Sequence, residues 1–352
     1  MEGRTLKILE AIVDEYIRTG EPVGSKTLLE KTDIKCSSAT IRNEMASLEQ
    51  QGYLEHPHTS AGRVPTFAGF RLYIEKMSPE NHLSDEEKKK IDRIFEDIDA
   101  ASDEEIIENA SRALAEVTKC AIVSTNQTSK FSVITKVDVI PTGRRMYVLL
   151  LITSGGAIKN RVCRLSFDLT HEQMDFFQRF ANDNLKGINL QNVSDEYIEN
   201  LTATLGGYMM TLSPLLKGIA DLSAEMMEEQ VNLEGEANLM TCDEFKGHEV
   251  ARILETKNEF TQILDQTFSG INVMFGKEND TFVISNSSII TSSFNKGDAK
   301  AGSFGVIGPM RLDYKKIIPY IEYFTNKVTH LLSEEDEDEE LLAIEKEADK
   351  FE

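Results

Sequence analysis

The stretch Ser37–Tyr73, SSATIRNEMASLEQQGYLEHPHTSAGRVPTFAGFRLY, decides how the N-terminal part of the chain is interpreted. It predicts a helix, a break at Gly52, a short strand, a polar loop and then a second strand or the start of a helix. Ser37 or Ser38 can cap the first helix, because a serine hydroxyl accepts a hydrogen bond from a first-turn amide. This order of elements is typical of a winged helix-turn-helix, which binds DNA.

The two faces of the predicted helix differ in chemistry. Ile41, Met45 and Leu48 recur at helical spacing and predict a buried stripe. By itself such a stripe also fits an ordinary core helix. The opposite face is small and hydrogen-bonding, and side chains of that kind can enter a major groove and bond base edges. The candidate DNA contacts on this face and its flanks are Ser38, Thr40, Arg42, Asn43 and Ser47.

The loop that follows the helix contains no acidic residue. No Asp or Glu occurs between His56 and Ile74, although the whole chain has a formal net charge of -22. A stretch without acids in an acidic chain predicts a surface that meets phosphate. The alternative is a solvated loop whose histidines and arginine are ordinary surface groups. The candidate contacts in this loop are His58, Thr59, Ser60, Gly62 and Arg63.

Four segments carry a resemblance to a known family. They are Gly20–Leu28 (GEPVGSKTL), Ser37–Met45 (SSATIRNEM), Gly52–Thr66 (GYLEHPHTSAGRVPT) and, far along the chain, Gly302–Tyr314 (GSFGVIGPMRLDY). Together they resemble the HrcA family, the heat-inducible transcription repressors of bacteria. The resemblance implies an α+β multidomain fold with an N-terminal winged helix-turn-helix and a GAF-like α/β domain. It also implies an inserted dimerisation domain made of an antiparallel sheet and helices.

The function that this resemblance implies is repression of heat-shock chaperone operons. A homodimer would bind an inverted-repeat operator of the CIRCE type on double-stranded DNA, and the GroEL chaperonin would keep the repressor active. The recognition helix would place Ser38, Thr40, Arg42 and Asn43 nearest the bases, with phosphate as the alternative partner of Arg42. The loop between residues 58 and 63 would contact the DNA backbone or the minor groove.

The predicted domain organisation has five parts. Residues 1–78 form the DNA-binding domain, and residues 79–130 contain connector helices and the start of the GAF-like domain. Residues 131–230 form the inserted dimerising domain, and residues 231–332 complete the GAF-like domain. Residues 333–352 include an acidic run that should repel itself and form a disordered tail.

The middle and C-terminal parts of the chain alternate strands and helices. A meander of strands before residue 166 precedes three helices, which begin after Thr170, after Ser194 and near Leu215. The segment Pro141–Gly143 is expected to separate two of these strands. The strands expected in the chain are 120–125, 133–140, 145–153, 157–165, 271–276, 282–285, 288–294 and 302–307, and the last helix is expected over 317–332.

The sequence offers no catalytic motif and no metal-ligand spacing. We find no G-x-S-x-G, P-loop or G-x-G-x-x-G segment, and the four cysteines lack C-x-x-C spacing. We therefore expect no enzyme, no cofactor and no metal. The longest apolar run is too short to span a bilayer and the N-terminus lacks a signal-peptide core, so a cytoplasmic protein without membrane contact is expected. The rival interpretation is a metabolite-gated winged-helix regulator whose GAF-like domain senses a ligand.

Overall fold

The computed structural model combines helices with antiparallel sheets, so the predicted α+β class is confirmed. Two further parts of that prediction, the winged helix and the GAF-like domain, stay predictions at this point. The structure describes residues 3–31, 36–57, 62–76, 82–96, 102–126, 132–205, 210–228, 230–256, 259–265, 270–276, 287–297 and 299–348, without the side chains of 265 and 334–348.

The N-terminal segment, residues 3–76, is called the head. Its described residues, 3–31, 36–57 and 62–76, form four helices and a two-stranded antiparallel sheet, in which Leu54 pairs with Pro65. Buried side chains of α1 and α3 pack against one another because both helices carry an apolar stripe at helical spacing. Its elements are α1 Gly3–Thr19, α2 Ser25–Lys31, α3 Ser38–Gln50, β1 Leu54–Glu55, β2 Val64–Pro65 and α4 Phe67–Lys76.

The second part of the fold, residues 82–126 and 230–348, is called the body. Its antiparallel sheet has five strands in the order β7-β3-β10-β9-β8, with helices on both faces. The strands are β3 Ala121–Asn126, β7 Gln230–Glu234, β8 Ile271–Phe275, β9 Ser287–Lys296 and β10 Ala299–Pro309. The helices are α5 Asp85–Glu96, α6 Asp103–Thr118, α10 Glu236–Met240, α11 Gly247–Glu255, α12 Phe260–Asp265 and α13 Tyr314–Ala348.

Between β3 and β7 the chain leaves the body and forms the inserted segment, residues 132–228. A three-stranded meander packs one face against helices, and their buried side chains form a hydrophobic cluster of their own. Thr170 and Ser194 cap the first two helices through backbone amides three residues later, as their sequence positions predict. The elements are β4 Ile134–Gly143, β5 Met146–Thr153, β6 Ile158–Arg164, α7 His171–Leu185, α8 Asp195–Thr204 and α9 Ser213–Met227.

Two local predictions differ from the structure. Strand β4 continues through Pro141, and the chain turns instead at Arg144 and Arg145, whose φ is 59°. Proline is tolerated there because β4 is an edge strand, where a missing amide breaks no ladder. In addition, the backbone of α13 is helical to Ala348, well beyond the helix expected over 317–332, while a disordered acidic tail stays a prediction. A helix that is already nucleated can extend at little further cost, and glutamate is a good helix former.

The strands of the body also differ in part from those expected from the sequence. The fifth strand, β7, is not among the strands expected from the sequence, although its residues QVNLE alternate polar and apolar side chains; all five are half-buried. It pairs along β3, where Val123 lies opposite Leu233. The strand expected over 282–285 lies outside the described residues. The other strands predicted from apolar runs are present, with ends shifted by a few residues.

Candidate nucleic-acid interface

Helix α3 presents its polar face outwards because its other face is anchored in the core. Ile41 and Leu48 are fully buried and Met45 is nearly so. The N-cap is Ser37, whose hydroxyl accepts a hydrogen bond from the Thr40 amide at 3.1 Å. Of the two serines that the sequence left open, Ser37 therefore caps the helix. Its neighbour Ser38 is the first helical residue.

The five candidate residues on α3 fall into two groups. Arg42 and Asn43 are exposed, and within the described residues the structure records no hydrogen bond for either side chain. Ser38, Thr40 and Ser47 are half-buried and engaged within the head. Their hydroxyls lie at hydrogen-bond distance from the side chains of Ser25, Ser37 and Gln51, at 3.1, 2.9 and 3.0 Å.

The first acid of α3, Glu44, is neutralised by the N-terminal end of α1. Arg4 donates to its carboxylate through Nε and Nη2 at 3.0 and 2.8 Å. The hydroxyl of Thr5 donates to the other oxygen at 2.7 Å. These bonds, that of Thr5 first, lower the pKa of Glu44 below its usual value. Glu44 therefore stays ionised, but its charge is balanced and its side chain is held away from solvent.

The second acid, Glu49, is paired with Arg63. The guanidinium lies 2.7 Å from the carboxylate, and only 18% of the Arg63 side chain is exposed. A further contact at 2.9 Å joins Arg63 Nη1 to Nδ1 of His56. The alternative that the sequence left open, a solvated loop arginine, does not describe Arg63, because the structure joins it to the C-terminal end of α3. Whether Arg63 also contacts DNA stays a prediction.

The loop joins the head through its C-terminal end. The backbones of Arg63 and Val23 exchange hydrogen bonds of 2.8 and 2.9 Å. A Cβ atom at Gly62 would lie 2.4 Å from the Val23 carbonyl, so only glycine permits this approach. His58, Thr59 and Ser60, also candidate contacts, lie outside the described residues. The loop therefore starts and ends on the head beside α3.

Arg4, Glu44 and Glu49 also belong to this surface, although none of them is among the candidate residues that the sequence predicts. No local signal links Arg4 to a residue 40 positions away. The structure thus brings together an outward helix face that exposes Arg42 and Asn43 and two acids of the same helix that are each bound by an arginine.

Comparison with known proteins identifies the chain's relatives. The family described as the HrcA protein C-terminal domain matches residues 104–318. The heat-inducible transcription repressor HrcA of Acetivibrio thermocellus is 33% identical over 339 residues, which cover 93% of this chain and 95% of that protein. This chain belongs to the HrcA family. The similarity spans nearly the full length of both proteins, including the head.

Other members and one solved structure agree with this assignment. The HrcA repressor of Syntrophobacter fumaroxidans is 32% identical and covers 96% of this chain and 99% of its own. A crystal structure of a protein described as hypothetical is 25% identical, with a TM-score of 0.69 over 95% of this chain and 99% of that one. The HrcA relatives are named as heat-inducible transcription repressors, and transcription repression in a stress response is therefore the function of this family.

Among the described residues, no group of three or more His, Cys, Asp or Glu side chains could hold a metal ion. No helix in the described part of the chain is long and apolar enough to cross a membrane.

Proposed function

We propose that this chain represses heat-shock chaperone genes by binding, as a homodimer, to an inverted-repeat operator of the CIRCE type. The head would act as a winged helix-turn-helix, with α2 and α3 as the helix pair and β1, β2 and their loop as the wing. One observation carries the proposal. The outward face of α3 is exposed at Arg42 and Asn43, while both acids of that helix are bound by arginines.

The charge balance of α3 matters because DNA is a dense array of phosphates. An unpaired carboxylate on a helix in the major groove would repel that array. Arg4 and Arg63 offset the charges of Glu44 and Glu49, so the repulsion is reduced where the helix would dock. Arg42 and Asn43 then supply a cation and a bidentate amide for guanine, adenine or phosphate. A protein of net charge -22 needs such local compensation to approach DNA.

A homodimer is supported by an apolar surface on the inserted segment. The face of the three-stranded sheet that points away from its helices carries apolar side chains on every strand. Two of them, Ile158 and Val162, are 59% and 58% exposed. Monomeric proteins rarely leave a contiguous apolar face of this kind in water. The residues of this apolar face are Ile140, Met146, Val148, Leu150, Ile152, Ile158 and Val162.

A second copy of the chain would pack face to face on this apolar face. Pairing of a strand from that copy along the edge of β4 is less favourable. The Asn182 side chain of α7 accepts a hydrogen bond from the Val137 amide at 3.0 Å and donates one to the Val137 carbonyl at 2.8 Å. These two bonds already occupy the edge of β4. On β6, Ile158 and Val162 lie symmetrically about Asn160. A two-fold axis near Asn160 would therefore set the apolar pair of one protomer against the same pair of its partner, as an isologous interface requires.

The proposal also covers the domains of the body and the inserted segment, and activation by the chaperonin. We assign the body as the GAF-like domain and residues 131–230 as the inserted dimerising domain, on the basis of the sheet order and the separate core of the inserted segment. Activation by GroEL rests on the family resemblance. It requires that active and inactive forms differ by little free energy, which is ordinary for domains stabilised by about 5–15 kcal/mol.

A gel-shift experiment tests the proposal. The probe is the inverted repeat from the chaperone promoter of the same organism, and the matched control is the same DNA with both half-sites scrambled. We expect retention of the operator by the protein without any small molecule, loss of the complex after warming, and its recovery with chaperonin. Equal retention of both DNAs would contradict operator recognition, and recovery without chaperonin would contradict the chaperonin step.

A further inference from the structure

The head is held against the body by two polar contacts made to α1, one at the Ile17 carbonyl and one at Asp14. The first is made by Arg311, in the segment between β10 and α13. Its guanidinium donates to the Ile17 carbonyl at 3.1 Å and pairs with Glu244 of the body. The last carbonyls of a helix lack partners within the helix and form its negative end, so a cation there is favourable. Arg311 therefore binds the C-terminal end of α1 to the body.

The close approach of Arg311 depends on Gly20, which ends α1. Gly20 has a φ of +72°, a conformation that other residues rarely adopt. A Cβ atom added there would lie 3.0 Å from both Cζ and Nη1 of Arg311. The glycine therefore ends the helix and leaves space for the guanidinium.

The second contact is centred on Asp14, in the middle of α1. Lys315, at the start of α13, donates to both carboxylate oxygens at 2.9 and 2.8 Å. The Tyr73 hydroxyl donates to the same carboxylate at 2.6 Å. Burial first, and then this hydrogen bond, raise the pKa of Tyr73, so the hydroxyl stays protonated as a donor. One carboxylate thus joins α1, α4 and α13.

Aromatic side chains fill the space between the head and the body. Phe67 and Phe70 of α4 lie 5.6 and 6.0 Å, ring centre to ring centre, from Phe275 of β8. Phe70 is also 6.0 Å from Tyr314, the first residue of α13. Phe70, Phe275 and Tyr314 are fully buried. Packed rings resist sliding and the two polar contacts resist rotation, so the angle of the head on the body is fixed.

We infer that Arg311 and Lys315 are specificity-determining residues, which fix the head angle and thereby the half-site spacing that the repressor accepts. The inference rests on the proposed function. Dimeric helix-turn-helix proteins read half-sites about 10–10.5 base pairs apart, or multiples of this, because both recognition helices must enter grooves together. A loosely held head could follow a shifted half-site, whereas a head held by Arg311 and Lys315 could not. Neither residue touches DNA in this account.

The test measures affinity against half-site spacing. Inverted repeats with identical half-sites and spacers lengthened or shortened one base pair at a time are bound to the full-length protein and to Arg311→Met, Lys315→Met and the double variant. We expect the full-length wild type to lose roughly tenfold or more in affinity away from its best spacing, because bivalent binding fails when geometry forbids it. The double variant should lose at most a few-fold over the same series.

Matched control variants distinguish a change in the angle of the head from a general loss of stability. Arg112→Met removes an arginine that contacts Glu108 and Glu234 within the body, and Lys327→Met removes a lysine bound to Asp92. Both controls should keep the wild-type spacing profile. Lys315→Met is the variant least expected to misfold, because 39% of the Lys315 side chain is exposed. By itself it should broaden the spacing profile.

The outcomes are distinguishable. A wild-type profile in folded Lys315→Met and in the double variant would overturn the inference while leaving operator binding intact. A wild type that binds no inverted repeat at any spacing would contradict the proposed function, and the inference would fail with it. A broadened profile limited to the Arg311 and Lys315 variants, with unchanged dimerisation, would support the inference.

Discussion

At the residue scale, Asn43 is the side chain best placed to read a base. It is exposed on the outward face of α3, near the N-terminal end that enters the groove in helix-turn-helix proteins. A bidentate amide contact with adenine contributes about 1–3 kcal/mol of discrimination. We therefore expect Asn43→Ala to reduce the ratio of operator affinity to scrambled-DNA affinity by the factor that corresponds to about 1–3 kcal/mol. Its affinity for scrambled DNA should change little.

Competition binding with the two DNAs measures this ratio. Gln50→Ala is the matched control, because Gln50 is an exposed amide on the same face at the C-terminal end of α3. It should leave the ratio unchanged. If Asn43→Ala and Gln50→Ala behave alike, Asn43 is not a base reader.

Arg63 is expected to act on affinity and not on discrimination. If its guanidinium reaches a phosphate, Arg63→Ala weakens binding to operator and scrambled DNA equally and reduces the log-log salt slope by about 0.9. Because Glu49 competes for the same guanidinium at 2.7 Å, Glu49→Gln should strengthen binding to both DNAs. Titrations at several salt concentrations test both variants. An unchanged affinity and slope in Arg63→Ala would leave Arg63 a purely structural contact between the loop and α3.

Much of this surface was predictable from the sequence, and the missing part has a physical reason. The buried stripe of α3 follows from its periodicity, because spacing along one helix decides which face is buried. The neighbours of Glu44 depend on how α1 crosses α3, and no local pattern encodes that crossing. The same holds for Arg311, whose partner Ile17 lies 294 positions away. Pairings between distant segments are a property of the assembled fold.

At the element scale, the start of α5 illustrates how a local cap also joins distant helices. Glu87 accepts hydrogen bonds from the Ser84 hydroxyl and amide at 2.6 and 2.9 Å, and from the Tyr320 hydroxyl of α13 at 2.8 Å. These bonds lower the pKa of Glu87 from 4.5 to about 2, with Ser84 the largest cause. The ionised carboxylate therefore stabilises the folded protein.

The pH dependence follows from the direction of this shift. Because the folded-state pKa is below the unfolded value, the stabilisation is complete above about pH 4.5 and is lost as the pH falls towards 2. We expect Glu87→Gln to lower the melting temperature at pH 7 and to converge with the wild type in acid. Glu86→Gln, a change at the neighbouring exposed carboxylate, is the control. A wild-type minus Glu87→Gln difference that stays constant down to pH 3 would contradict this role.

If the apolar face of the inserted segment forms the dimer contact, charged residues placed on it should prevent dimerisation. Lysines at Ile158 and Val162 should keep the protomer folded, since both side chains are more than half exposed. They would oppose a partner of the same charge, and we expect the double variant to sediment as a monomer. Operator affinity should then fall by a factor of about 10² to 10⁴, because the second head is no longer tethered.

Asn160→Ser provides a control on the same strand and the same face. It adds no charge and removes no apolar side chain. We expect it to leave the protein dimeric. A double variant that still sediments as a dimer and binds the operator normally would place the dimer contact elsewhere.

At the scale of the whole molecule, head and body form one packed unit. Side chains of both parts share a single hydrophobic cluster, which includes Phe70 of the head and Phe275 and Tyr314 of the body. The inserted segment has a separate cluster. This arrangement suits a dimeric repressor, because the inserted segment can hold two protomers together while each head keeps a fixed angle.

The measurement that tests this account most directly is the affinity of the purified protein for three DNAs. They are the intact inverted repeat, the same repeat with one half-site scrambled, and a fully scrambled duplex, all at one salt concentration, with chains per duplex counted by sedimentation. The account predicts two chains on the intact repeat and a loss of about 10²-fold or more when one half-site is removed. Equal affinity for the intact repeat and the single half-site, or one chain per intact repeat, would contradict it.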